Sequence, residues 1–190
     1  MESISLSVAA KRITDGEIGI VPTDTLYGIV ASVLLPDAVE RVYTARKRES
    51  GKPCIVLISS ISELERFGIV IDSLSKSLLD SVWPGAVSVV FPLEGEEWRH
   101  VHRDTSSVAF RVPKNAHLQE FLRESGPIIA PSANIAGEDS AQTIEEAIDF
   151  FHSDIDFVVD GGVLSGEPST LVRISDGKWE ILRQGRVIVA

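Results

Sequence analysis

Residues 20–57 read IVPTDTLYGIVASVLLPDAVERVYTARKRESGKPCIVL, and the rest of the chain is interpreted outward from this stretch. An apolar run over 18–21 predicts a buried strand, which ends in a cluster of hydroxyl side chains at Thr23, Thr25 and Tyr27. A helix follows over about 36–47. Since one short strand–helix unit joins them, the hydroxyl cluster and the cations after the helix can face the same cleft.

The cations form a segment of unusual charge. Residues 41–53 hold five Lys or Arg and one Glu, in a chain of net charge -10. Residues 138–160, by contrast, carry eight Asp or Glu and no Lys or Arg. Cations at a helix C-terminus offset the helix dipole, but this asymmetry exceeds that need. We interpret 41–53 as a surface that binds a small, highly charged anion.

Composition sets the class of protein. A length of 190 residues predicts one domain, over 1–190. The chain has no apolar run long enough to span a bilayer and no secretion signal, which predicts a cytoplasmic protein that does not bind membranes. A pI near 4.8 argues against a protein that coats nucleic acid. The single cysteine, Cys54, excludes an internal disulfide and is expected to be a core thiol.

The pattern of elements predicts an α/β fold, with a mixed sheet and helices on its faces. Strands are predicted over 18–21, 54–59, 86–93, 107–113, 127–131, 157–160, 170–174 and 179–182. Helices are predicted over 3–15, 36–47, 63–67, 73–82, 115–124 and 143–151, and a polar loop over 94–106.

Small polar side chains recur where apolar strands stop or start, at 23–25, 132–134 and 169–170. Ligands of open α/β sheets bind at such strand ends. Arg111 and Arg183 interrupt apolar sequence, and a buried guanidinium without an anion is costly. A protein carboxylate or an anionic ligand could pair with each arginine.

Several common catalytic patterns are missing from the sequence. It contains no GxxxxGK[ST], GxGxxG, HExxH, CxxC or GxSxG motif. His100 and His102 lie in the polar loop, without a third ligand nearby in the sequence, so we expect solvated side chains there. The remaining hydroxyls, arginines and lysines suit chemistry by positioning and charge neutralisation, as in nucleotidyl or phosphoryl transfer.

Seven motifs give a specific resemblance. They are VPTDTLYG (21–28), RKRESGKP (46–53), WPGAVSVVF (83–91), FRVP (110–113), APSANIAG (130–137), PSTLV (168–172) and LRQGRV (182–187). In this order they resemble the threonylcarbamoyl-AMP synthase family, also called YrdC-like, in its short single-domain form. The resemblance implies a twisted sheet of parallel and antiparallel strands, flanked by helices, with a concave basic cleft.

The resemblance also implies an enzyme, a nucleotidyltransferase. L-Threonine, bicarbonate or CO2, and ATP would give L-threonylcarbamoyl-AMP and pyrophosphate, the first step toward N6-threonylcarbamoyladenosine at position 37 of tRNA. ATP is then a substrate, accompanied by Mg²⁺, and no protein side chain is assigned to the metal. The reaction implies a link to the tRNA threonylcarbamoyl transferase machinery. Direct contact with tRNA stays open.

Site residues follow from the resemblance, motif by motif. L-Threonine is expected to contact Thr25, Arg111, Ser132 and Ser169. ATP is expected to contact Arg48, Lys52, Ser107, Asn134, Ser140, Thr143 and Arg183. The residues expected to be catalytic, at the phosphates, are Arg46, Arg48 and Lys52.

The chain departs from the family pattern at a few positions, and other functions stay open. Arg46 replaces a lysine, Ala136 replaces a serine, and Leu57 stands where larger members have a histidine. One alternative is a paralogue of the same fold with altered or lost activity, including other carbamoyl-adenylate chemistry. A second is an RNA-binding module, although aromatic residues are only 6% of the chain.

Overall fold

A computed structural model of the chain describes residues 2–189. The domain predicted over 1–190 therefore includes two residues, Met1 and Ala190, that lie outside the described part. Within residues 2–189, no helix has the length and apolar character needed to cross a membrane.

Strands and helices alternate through the first half of the chain. The strands are β1 (Gly19–Pro22), β2 (Tyr27–Ser32), β3 (Val56–Leu57), β4 (Val87–Pro92), β5 (Ser107–Arg111), β6 (Ile128–Ile129), β7 (Phe157–Val158), β8 (Thr170–Ser175) and β9 (Lys178–Arg183). The α-helices are α1 (Leu6–Thr14), α2 (Pro36–Ala45), α3 (Ser73–Val82), α4 (Arg99–His102), α5 (Ala116–Ser125) and α6 (Ile144–Phe151). Short 3₁₀ helices occupy Ile61–Phe67, Glu96–Trp98 and His152–Asp154.

One sheet joins the strands of residues 2–189, in the order β7-β1-β2-β6-β3-β5-β4-β8-β9. The pairs β1–β7, β3–β5 and β4–β8 are parallel. The other five pairs are antiparallel. The predicted α/β fold with a mixed sheet is confirmed.

Alternate residues of the central strands supply two cores, one on each face of the sheet. Ile20 and Ile29 belong to the larger core, which includes side chains of α2, α3 and α6. Val21 and Val30 point the other way and pack with α1 and α5. All six residues of β2 are buried, as expected for a strand covered on both faces.

Two predictions of local structure were wrong. The sequence interpretation placed no strand between the hydroxyl cluster and α2, but β2 lies there and pairs with β1 in a hairpin.

Residues 94–106 were predicted to be a polar loop, but they contain a 3₁₀ turn and α4. His102 is buried, with Nε2 against the carbonyl oxygen of Gly95 at 3.1 Å, and His100 Nε2 lies 2.8 Å from the Val33 carbonyl. Both histidines contact backbone, and His102 is buried while His100 is half-buried, so the expectation of solvated side chains was wrong for His102.

Candidate functional site

A cavity of about 450 Å³ forms where the β1–β2 turn, the segment after α2 and strands β5, β8 and β9 come together. Ser107, Ala109 and Arg111 line it, because alternate residues of a strand face the same side. Nine of the twelve predicted site residues line this cavity: Thr25, Arg46, Arg48, Ser107, Arg111, Ser132, Ser140, Ser169 and Arg183. The fold thus brings together motifs that are far apart in the sequence.

The cavity is strongly cationic. Its lining includes four arginines, and no Asp or Glu of residues 2–189 belongs to it. One of the four arginines, Arg111, pairs with a carboxylate, because Asp24 Oδ1 lies 3.2 Å from Arg111 Nη2. The other three arginines have no acidic partner among residues 2–189, and such a set suits a ligand with several negative charges.

Arg111 lies at the end of β5 and is buried. Its Nη1 donates to Thr25 Oγ1 at 3.3 Å, while Nε is buried and has no hydrogen-bond partner among residues 2–189. Burial lowers the pKa of this guanidinium, and the Asp24 carboxylate opposes that effect. A protein carboxylate therefore does pair with Arg111 by charge, and the guanidinium, which has five N–H donors, keeps donor capacity for an anionic ligand.

Hydroxyl groups near Arg111 are fixed by their own hydrogen bonds. Thr23 Oγ1 lies 3.0 Å from Thr25 Oγ1 and donates to the Leu26 carbonyl at 2.6 Å, which shapes the β1–β2 turn. Ser88 Oγ lies 2.9 Å from Ser169 Oγ, and both side chains are buried. The sequence analysis placed Thr23 in the hydroxyl cluster but gave it no ligand, and it did not single out Ser88, which supports Ser169 from outside the cavity lining. The place of Ser88 inside the WPGAVS motif was the available signal.

Arg46 is buried among neutral acceptors. Its Nε donates to the Asn134 carbonyl at 3.0 Å, and its Nη2 lies 3.2 Å from Asn134 Oδ1 and 3.4 Å from Ser132 Oγ. Ser132 Oγ also donates to Asn134 Oδ1, at 2.6 Å. Burial lowers the pKa of Arg46. Asn134 does not line the cavity, so in this arrangement it orients Arg46 and Ser132.

The segment after α2 places Arg48 and Lys52 differently. Arg48 lines the cavity and donates to the carbonyls of Lys52 and Pro53, each at 3.0 Å. Lys52 is exposed and pairs with Glu49 at 2.9 Å (Nζ to Oε2), outside the cavity lining. A surface pair of this kind is weak, so Lys52 Nζ can leave Glu49 for a ligand at small cost.

Thr143 and Arg183, two residues predicted to contact ATP, each form a hydrogen bond within the protein. Thr143 caps α6, with Oγ1 accepting from the Glu146 amide at 3.3 Å, and does not line the cavity. Arg183 donates to the Ser169 carbonyl at 2.8 Å. Its side chain is exposed on the edge strand β9, so the expectation that it is a buried guanidinium was wrong. An exposed cation needs no protein carboxylate.

A long segment between β7 and β8, residues 159–169, runs past the cavity. Tyr27 fixes its start, because the phenol accepts from the Gly161 amide at 2.8 Å and donates to the Gly162 carbonyl at 2.7 Å. Further on, Gly166 lies against Thr25, and a Cβ at this position would sit 2.1 Å from the Thr25 carbonyl oxygen. Residues 159–169 therefore form a wall beside the predicted threonine contacts.

The cavity lining includes Cys54, and a metal ion would need a cluster of ligating side chains. Cys54 is buried, and burial raises the pKa of its thiol. No group of three or more His, Cys, Asp or Glu within residues 2–189 is arranged to hold a metal ion. The arrangement instead offers fixed cations and hydroxyls around a space large enough for a nucleotide or an amino acid.

Sequence comparison identifies the family. The Sua5/YciO/YrdC family model, described as "Telomere recombination", matches residues 11–185. The chain belongs to the Sua5/YciO/YrdC family. A relative in this family is the threonylcarbamoyl-AMP synthase of Bacillus subtilis, which is 34% identical over 185 residues, 96% of this chain and 54% of the relative. The putative threonylcarbamoyl-AMP synthase of Methanocaldococcus jannaschii is 32% identical over 95% of this chain and 85% of its own length.

Structural comparison agrees with the family. The crystal structure of Pyrococcus abyssi Sua5 complexed with L-threonine superposes with a TM-score of 0.86 at 31% identity, over 95% of this chain and 54% of that chain. The resemblance inferred from the seven motifs is therefore confirmed. The chain spans about half the length of the B. subtilis and P. abyssi family members it matches.

Proposed function

We propose that this chain is a threonylcarbamoyl-AMP synthase, which converts L-threonine, bicarbonate or CO2, and ATP into L-threonylcarbamoyl-AMP and pyrophosphate. The observation that carries the proposal is the cavity, which has four arginines and no acidic residue of the described part of the chain in its lining, beside hydroxyls fixed at Thr25 and Ser169. The similarity to the threonylcarbamoyl-AMP synthase of B. subtilis and to the putative one of M. jannaschii supports it.

The proposed chemistry is a nucleotidyl transfer. The threonine amine adds to CO2 and loses a proton, which gives a carbamate. A carbamate oxygen then forms a bond to the α-phosphorus of ATP, the bond from that phosphorus to the bridging oxygen breaks, and pyrophosphate leaves with the electron pair. The protein needs no nucleophile of its own, since positioning and charge neutralisation lower the barrier.

The lining residues divide between the two substrates. Arg111 contacts Thr25 through Nη1 and has a buried Nε without an acceptor among residues 2–189, and we assign this arginine to the threonine carboxylate, together with Ser132 and Ser169. The phosphates are assigned to Arg46, Arg48 and Lys52. Arg183, Ser107 and Ser140 are assigned to the rest of the nucleotide, and Asn134 acts by holding Arg46.

Mg²⁺ is proposed to enter as part of the nucleotide substrate. Mg²⁺ prefers oxygen ligands and commonly takes them from phosphates and water. The cavity lining offers no carboxylate of residues 2–189, and Asp24 is engaged by Arg111. The residues present therefore do not fit a metal held by the protein alone, and we assign no side chain to it.

The proposed partners follow from the chemistry of the product, L-threonylcarbamoyl-AMP. A mixed anhydride of a carbamic acid and AMP is an activated acyl group, and we propose that the tRNA threonylcarbamoyl transferase machinery consumes it. We also propose a cytoplasmic place of action, where ATP, L-threonine and tRNA are all available. The domain proposed to carry this activity is the stretch 1–190.

The test is pyrophosphate release from Mg·ATP by the purified chain, with L-threonine, L-serine or no amino acid, and with or without bicarbonate. We expect release that requires both threonine and bicarbonate. Release that ignores threonine would contradict the proposal. ATP binding without threonine-dependent release would instead favour a paralogue of altered activity.

Two variants of the cationic segment sharpen this test. Arg48→Ala should raise KM for ATP about 10- to 100-fold, the loss expected for a charge-assisted hydrogen bond of roughly 1.5–3 kcal/mol. The matched control is Lys47→Ala, which removes a neighbouring exposed cation outside the cavity lining. It should leave KM for ATP unchanged.

A further inference from the structure

The orientation of the Arg48 side chain is set by the backbone of a loop. Residues 48–53 connect the end of α2 to β3, and the Arg48 side chain folds back on this loop by donating to the carbonyls of Lys52 and Pro53. No carboxylate of residues 2–189 forms an ion pair with Arg48. Its position is therefore set by the two carbonyl oxygens, and whatever fixes the loop also fixes the guanidinium.

Tyr43, in the last turn of α2, holds this loop at both ends. Its backbone carbonyl accepts from the Arg48 amide at 3.0 Å. Its phenol, at the other end, donates to the Lys52 carbonyl at 2.9 Å. That carbonyl oxygen is the one that also accepts from Arg48 Nε. Tyr43 and Arg48 thus meet on one acceptor atom.

The Tyr43 ring is itself held in place. It is buried, and the Arg103 guanidinium lies over it, with Cζ 3.7 Å from the ring centroid. Arg103 Nη1 is held by Glu40 Oε1 at 2.5 Å, on the same helix as Tyr43. Burial raises the pKa of the phenol, so it remains a hydrogen-bond donor. The cation–π contact fixes the ring beneath Arg103.

We propose that Tyr43 is a positioning residue, whose hydroxyl holds the Lys52 carbonyl so that Arg48 points into the cavity. This inference rests on the proposed function for the identity of the ligand, the phosphates of ATP. Tyr43 does not line the cavity and acts only through Arg48. Its effect should therefore reach ATP and spare L-threonine.

The test uses Tyr43→Phe, which removes the hydroxyl and keeps the ring under Arg103. We expect Kd for ATP, measured by titration calorimetry, to rise roughly fivefold, as when one buried hydrogen bond is lost. Kd for L-threonine should stay unchanged. The matched control, Thr44→Val, removes an exposed hydroxyl of the same helix that donates to the Glu40 carbonyl, and should change neither constant.

A double variant separates positioning from general damage. Tyr43→Phe should add nothing to the ATP affinity already lost in Arg48→Ala, because both changes act on one contact. Additive losses, an unchanged Kd for ATP in Tyr43→Phe, or an equal rise for both ligands would each overturn the proposal.

Amide hydrogen exchange keeps the test independent of the proposed function. In the free chain, Tyr43→Phe should speed exchange across residues 48–53 and leave the sheet unchanged. If the wild-type chain bound no ATP, the proposed function and the ligand named here would fall. Faster exchange confined to 48–53 would still support the loop-holding role of Tyr43, and unchanged exchange would overturn it.

Discussion

In the proposed function, Arg111 is the residue on which recognition of L-threonine should most depend. Its pairing with Asp24 fixes one side of the guanidinium, while the buried Nε has no acceptor among residues 2–189. Arg111→Lys keeps the charge beside Asp24 but loses the planar fork. We expect KM for L-threonine to rise about 10- to 100-fold, with KM for ATP nearly unchanged.

Steady-state kinetics with each substrate varied in turn measure this effect. Arg48→Lys is the matched control, because it makes the same replacement in the part of the cavity assigned to phosphate, and it should raise KM for ATP alone. If both variants weakened both substrates equally, the division of the cavity would be contradicted.

Residue identities in the motifs predicted which side chains gather, but not what each one contacts. Nine of twelve predicted residues line the cavity, because the motif positions of the family also fix places in its fold. Lys52, Asn134 and Thr143 do not, since local partners hold them: Glu49, Arg46 and the first turn of α6. Of these contacts, the one between Asn134 and Arg46 joins residues 88 positions apart, so no local spacing in the sequence encodes it.

At the scale of elements, the start of α6 provides a test of one predicted ATP contact. Thr143→Ala removes the helix cap and should lower the free energy of unfolding by about 1 kcal/mol, while Kd for ATP stays unchanged. Thr143→Ser should restore most of the stability. Ser140, in contrast, lines the cavity and caps no helix, so Ser140→Ala should weaken ATP binding instead. Denaturant unfolding and calorimetry together distinguish these outcomes. Weaker ATP binding in Thr143→Ala would instead mean that Thr143 contributes to the proposed nucleotide site.

Asp156 ties three elements together and makes stability depend on pH. Its Oδ2 accepts from the Ile18 amide at 2.8 Å before β1, its Oδ1 accepts from Arg41 of α2 at 3.0 Å, and its carbonyl accepts from Arg12 of α1. Partial burial acts to raise the pKa of Asp156, but the hydrogen bonds from Arg41 and Ile18 outweigh it, and the pKa is lowered.

Because the folded-state pKa is lowered, this contribution is present above the unfolded pKa of about 3.9 and is lost as pH falls through the folded value. Asp156→Asn should therefore be less stable than wild type by roughly 1 kcal/mol at pH 7, and the difference should shrink by about pH 3. Denaturant unfolding at both pH values measures it. Asp80→Asn, which loses an exposed pair with Lys76, should cost at most about 0.5 kcal/mol. A gap for Asp156→Asn that stayed constant with pH would contradict this assignment.

Element prediction succeeded where periodicity or caps are visible in the sequence. The helix predicted over 73–82 matches α3, Ser73–Val82, and the helix predicted over 143–151 contains α6, Ile144–Phe151, with Thr143 as its cap. Strand β2 was missed because all its residues are buried, so it lacks the alternation that marks a strand. Helix α4 has only four residues, too few to show a helical period.

At the scale of the whole molecule, the sheet's strand order explains how the cavity acquires a wall. Strand β7 stands at one end of the order, and β8 is next to last at the other, so residues 159–169 must cross the sheet. On the way, the Leu164 amide donates to the Gln142 carbonyl at 2.8 Å, and Pro168 and Ser169 line the cavity. This crossing links the β1–β2 hairpin at Thr25 to β8 and β9. It follows from the strand order of the whole sheet, so no single sequence motif predicts it.

The point where this crossing meets the hairpin should be sensitive to one methyl group. Gly166→Ala would place Cβ 2.1 Å from the Thr25 carbonyl oxygen, so residues 159–169 must move away from Thr25. We expect Kd for L-threonine to rise several-fold and stability to fall by about 1–3 kcal/mol. Gly51→Ala is the matched control, because a Cβ there meets no atom within 4 Å. Titration of both variants with L-threonine measures this effect. An unchanged Kd in Gly166→Ala would mean that residues 159–169 do not shape the proposed threonine site.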